Sequence, residues 1–143
     1  MIPIGDKAER RRTAVAEGDI ALSGPSLRAI KERSLQKGDA LEAARVAALL
    51  AVKDTPHLLA HCHPIPIESC SVTFRLEERT LTVRCTVEAT AKTGVEMEAL
   101  TGTAVALLTV WDMVKPLEKD KEGQYPETAI SNLRVIEKRK ETP

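Results

Sequence analysis

Between Lys92 and Lys115 the chain reads KTGVEMEALTGTAVALLTVWDMVK, and its middle is apolar on nearly every face of a helical period. A helix of that character must be wrapped by the rest of the fold. Thr93 and Glu96, three residues apart, have the spacing of a capping box and predict the helix start, with Gly94 just inside. Pro116 predicts its stop. Three ionisable groups stand out against the apolar body: Glu98 in the second turn, and Asp112 with Lys115 in the last. Buried charge is costly unless it is paired or used. Asp112 and Lys115 are neighbours at i, i+3, an arrangement that a plain ion pair would also give. Yet Asp112 faces the negative end of the helix dipole, the wrong end for stability, which points to function. Glu98 and Asp112 lie near one face but about 21 Å apart at ~1.5 Å rise per residue. A small substrate cannot touch both within one chain, whereas a two-fold partner would bring the opposite ends together.

The flanking sequence supplies the wrapping. Residues 1–12 are charged, contain Pro3 and Gly5, and read as a flexible arm; Thr13 to Leu22 reads as a strand with Gly18 as a bulge. Ser23, Gly24 and Pro25 signal a short helix. Asp39 and Glu42 form a second capping pair, opening ALEAARVAALLAVK, which is nearly apolar all round and is expected to pack inside. Asp54 to Pro66 reads as a proline-punctuated connection carrying His57, His61 and His63. Val72, Phe74 and Leu76, then Leu81, Val83, Cys85 and Val87, alternate with polar residues and predict a hairpin turning at Glu78 and Arg79. A charged loop follows the long helix, Thr128 to Lys138 closes as a strand, and residues 139–143 form a tail. With the paired helices counted as one crossover, the order is β-α-β-β-α-β. This predicts one α+β domain over 13–138, ferredoxin-like, with a four-stranded antiparallel sheet and helices packed on one face.

Composition narrows the function. The 143 residues carry 21 Lys and Arg against 21 Asp and Glu, so no basic field attracts nucleic acid, and 2% aromatics leave no stacking platform. Cys62, Cys70 and Cys85 show no CxxC spacing and read as reduced thiols. Neither a signal peptide nor an apolar run of membrane length is apparent, so a soluble cytoplasmic protein is expected. HCHP suits a substrate-binding loop. His61 and His63 would share a side on extended backbone, but no ligand at a familiar spacing completes a zinc set, so no metal site is expected. Lys37, immediately before the second helix, reads either as a loop lysine or as part of a phosphate site formed with that helix's free amides.

HCHP, KTGVEMEALT and WDMVK, in that order and preceded by KGD, resemble the molybdenum-cofactor biosynthesis protein C family, the cyclic pyranopterin monophosphate synthases. The similarity runs from Lys7 to Lys138. It implies a ferredoxin-like subunit in a hexamer, a trimer of dimers, with active sites between subunits. It implies a lyase that rearranges 3',8-cyclo-7,8-dihydro-GTP, made by a radical SAM partner, to cyclic pyranopterin monophosphate with loss of pyrophosphate. No covalent cofactor is implied, and magnesium could accompany the triphosphate. By position, the resemblance gives Asp112, Lys37 and Lys115 as catalytic residues. It gives His61, Cys62, His63, Glu96, Met97 and Glu98 as substrate-binding, with Lys138 at the family's C-terminal lysine. Arg12 is a further candidate cation for the leaving pyrophosphate. The chain departs from the family where His61 replaces a leucine, where Ile2 to Gly5 replace a Val-Asp-Val-Ser segment, and where EKRKETP replaces a glycine-rich C-terminus. A non-catalytic pterin- or nucleotide-binding accessory subunit is the alternative function, and a metal-binding oligomer built on the histidine loop a third.

Overall fold

The computed structural model describes all residues from 1 to 143. Its elements are β1 (Arg10–Ala21), α1 (Gly24–Glu32), α2 (Ala40–Leu58), β2 (Ser69–Glu77), β3 (Thr80–Ala91), α3 (Glu96–Glu118) and β4 (Ala129–Glu141). The strands form one antiparallel sheet in the order β2-β3-β1-β4. The expected α+β, ferredoxin-like arrangement is therefore the observed one: β1 and β2 run the same way with β3 between them, and the helices cover one face.

The core lies between that face and α2 and α3. Ala14, Ala16 and Ile20 follow one side of β1, Leu22 comes just after its end, and Val83, Cys85 and Val87 come from β3. They meet Ala44, Ala48 and Val52 of α2 and Ala99, Ala106, Leu107, Val110 and Val114 of α3. Small residues dominate because the helices approach closely. A methyl group added at Gly102 would sit 2.7 Å from Val52 Cγ2 and 3.0 Å from Cys85 Sγ, and one at Gly18 would sit 2.7 Å from Leu107 Cδ1. Gly18 also lies within a register shift between β1 and β4, the bulge its position predicted.

Both long helices continue past their expected stops. Pro56 is inside α2 and Pro116 inside α3, each two residues before the end. A proline so close to a C-terminus costs one i→i−4 hydrogen bond without interrupting much helix. His57 consequently lies on α2, paired to Asp54 at 2.7 Å, away from the other two histidines. At its start, α3 begins at Glu96 after Val95, with no side-chain cap, so the Thr93–Glu96 box does not form. In α2 half of the expected box is present: Asp39 accepts from the Leu41 and Glu42 amides, while Glu42 turns to Arg45.

The strands are also longer than the alternation indicated. Arg10 to Arg12, expected in the flexible arm, pair with β3, and Arg139 to Glu141, expected in the tail, pair with β1. Nor is α2 buried all round. It turns alanines inward and leaves Val46, Leu49, Leu50 and Leu58 exposed, and Leu108 of α3 is exposed as well. By length and composition α3 could cross a membrane, where no such stretch was expected, yet half of its most apolar 18-residue stretch is buried, as in a core helix packed on the sheet and α2.

Candidate functional site

The sequence-derived residues fall into two groups at opposite ends of α3. At its C-terminal end, the Asp112 carboxylate is bridged by two ammonium groups. Lys37 Nζ lies 3.1 Å from Oδ2, and Lys115 Nζ lies 3.1 Å from Oδ1. Lys37 also donates to the Asp112 main-chain carbonyl at 3.1 Å. Hydrogen bonds from Lys37 and then Lys115 hold the Asp112 carboxyl below its ordinary value. This resolves the misplaced charge: two cations outweigh the helix dipole. The three side chains remain partly exposed, and together they carry one net positive charge open to an anion.

Lys37 is not part of a helix-amide phosphate site. Asp39 already occupies the first amides of α2, and the lysine reaches across to α3 instead.

At the N-terminal end, His61, Cys62, His63, Ile65, Thr93, Gly94, Glu96, Met97 and Glu98 line a cleft of ≈ 110 Å³. Glu98 is 3% exposed, and burial, reinforced by neighbouring Glu96 against a backbone hydrogen bond, raises its carboxyl pKa. The Cys62 thiol is pushed up by burial and then by the Glu98 and Glu96 carboxylates. Glu96 Oε1 pairs with Lys138 Nζ at 3.3 Å, whereas Oε2 is buried without a hydrogen-bond partner. The Glu96 carboxylate lies against Gly94, where a Cβ would force it to turn aside. Thr93 and Gly94 are thus cleft residues that the sequence suggested only as a helix cap.

Arg12 does not join the two lysines within the chain. Its Nε donates to the Ala91 carbonyl at 3.3 Å, and it sits in register with Ala89 and Lys140 near the strand end that feeds α3. Arg12 and Lys138 therefore belong with the Glu98 end. The two groups remain about 21 Å apart by helical rise.

A family model described as the MoaC family matches residues 1–141. The chain belongs to the MoaC family. Among its MoaC relatives, a protein of Methanothermobacter thermautotrophicus is 52% identical over 98% of this chain and 88% of its own length. That relative is named a probable cyclic pyranopterin monophosphate synthase accessory protein. A protein of Pyrococcus furiosus is 50% identical over 99% of this chain and 90% of its own length. Another from Archaeoglobus fulgidus is 51% identical over 96% of this chain and 88% of its own length. Both are named probable cyclic pyranopterin monophosphate synthases. The family membership extends across both charged ends of α3 and the strands that hold Arg12 and Lys138.

Proposed function

We propose that this chain is a cyclic pyranopterin monophosphate synthase of molybdenum cofactor biosynthesis. It is a lyase that converts 3',8-cyclo-7,8-dihydro-GTP to cyclic pyranopterin monophosphate and pyrophosphate. The observation that carries the reading beyond family membership is the opposed tuning of two carboxyls on one helix. Glu98 is raised by burial and Asp112 lowered by two lysines. Carboxyls driven apart in this way can serve as proton donor and as permanent anion in a reaction needing several proton transfers. Asp112, Lys37 and Lys115 are the catalytic set, with the lysines also placed to receive the pyrophosphate charge. His61, Cys62, His63, Glu96, Met97, Glu98, Arg12 and Lys138 bind the substrate. The unpartnered Glu96 oxygen supplies an acceptor for a substrate N–H.

The active site is shared between subunits of a homo-oligomer, a hexamer arranged as a trimer of dimers. The separation of the two groups supports this, as do the exposed apolar side chains Val46, Leu49, Leu50, Leu58 and Leu108 on the two long helices. The enzyme works in the cytoplasm downstream of a radical SAM GTP cyclase, with magnesium on the triphosphate and no covalently held cofactor. An accessory, non-catalytic role is the second reading, favoured by the name of the Methanothermobacter relative. Incubation of purified protein with the cyclised GTP intermediate separates the two. The synthase releases pyrophosphate and forms cyclic pyranopterin monophosphate, whereas an accessory subunit yields neither on its own.

A further inference from the structure

We propose that Pro116 is a positioning residue for Lys37, acting through the backbone N–H that it lacks. In an α-helix the carbonyl of residue 112 would accept the amide of residue 116. Proline has no amide hydrogen, and its ring also crowds the carbonyl four residues before it. Pro116 lies within α3, so the Asp112 carbonyl loses its ordinary helical donor. That is the carbonyl to which Lys37 Nζ donates at 3.1 Å, while the same nitrogen reaches Asp112 Oδ2 at 3.1 Å.

The carbonyl contact matters because the ion pair is weak in isolation. Lys37 stands in the connection between α1 and α2, beside Gly38 at φ +112, and its side chain is 43% exposed. A single ion pair at such a site fixes a flexible ammonium poorly. Two oxygens of one residue, one of them on the rigid helix backbone, define its position and leave one of its three hydrogens for a ligand. An ordinary residue at position 116 would donate its own amide to that carbonyl, occupying one of its two lone pairs and weakening it as an acceptor for the lysine. The proline that looks like a helix stop instead opens a backbone acceptor in the helix's last turns.

The consequence for turnover rests on the synthase reading, whereas the lysine–carbonyl contact does not. The test compares Pro116→Ala with a protein carrying the α-hydroxy analogue of alanine at the same position. Neither has the proline ring, and they differ in an amide N–H against an ester oxygen. Thermal melting and circular dichroism establish that each is folded. Lys37 reactivity is read by a brief acetic anhydride pulse and mass spectrometry, and turnover by kcat and KM. Pro116→Ala should acylate several-fold faster at Lys37 and lose about tenfold in kcat with KM little changed. The ester protein should stay within about twofold of the natural protein in both readouts, because its carbonyl at 112 again has no amide competitor. Natural labelling and turnover in Pro116→Ala would overturn the proposal, as would an ester protein no different from the alanine variant. If the labelling difference is found but even the natural protein fails to turn over the intermediate, the synthase reading fails and the positioning role stands.

Discussion

Glu98 and Asp112 carry opposite consequences for stability. The Glu98 carboxyl is raised on folding, so its ionisation works against the fold as pH rises through the ordinary carboxylate range toward that raised value. Replacing it by a neutral isostere removes the cost: Glu98→Gln should melt higher than the natural protein at neutral pH while losing activity, as thermal scans and turnover assays would show. Asp112→Asn should lower kcat by about 10²- to 10⁴-fold with the fold retained, since it removes the anion between Lys37 and Lys115. A third carboxyl outside both groups has a structural role. Glu118 is 7% exposed and accepts from the Ser23 amide and hydroxyl, the Ser26 hydroxyl and the Thr128 hydroxyl. Burial alone would raise its pKa, but the hydroxyl and amide donors outweigh burial and leave it lowered. Its stabilisation is therefore complete above the unfolded value of about 4.3 and is lost as pH falls through the lowered folded value. Glu118→Ala should cost on the order of 3 kcal/mol at neutral pH and remove that acid limb in denaturant titrations.

At the level of elements, Gly102 shows how tightly the layers are joined. Gly102→Ala should destabilise by about 1–3 kcal/mol in chemical denaturation, because its methyl meets Val52 and Cys85 across two interfaces. The period of two in Val72 to Leu76 and Leu81 to Val87 reveals the hairpin, since one face of those strands is buried. The long apolar run likewise reveals α3. Helix ends were harder to read because proline is a position-dependent signal: Pro56 and Pro116 lie in the last turns, where the lost bond is one of few and can be replaced. Asp112, Lys115 and Glu98 could be picked out as charges in an apolar helix. That Arg12 and Lys138 lie toward Glu96 could not, because it depends on the register of β1 with β3 and β4 rather than on any local pattern.

For the whole molecule, α3 acts as a spacer. One end presents a protonatable carboxyl in a histidine- and thiol-lined cleft, and the other an aspartate held between two lysines. Val46, Leu49, Leu50 and Leu58 of α2 and Leu108 of α3 are exposed apolar side chains that another subunit could cover, and a two-fold axis would set one chain's Glu98 near another's Asp112. Complementation between subunits tests this most directly. Glu98→Gln and Asp112→Asn proteins, each inactive alone, are unfolded together in equal amounts, refolded and assayed for cyclic pyranopterin monophosphate. Shared sites predict recovery of about a quarter of the natural activity, because one in four randomly assembled sites draws Glu98 and Asp112 from the chains that retain them. Mixed oligomers that form but stay as inactive as either parent would contradict the shared site.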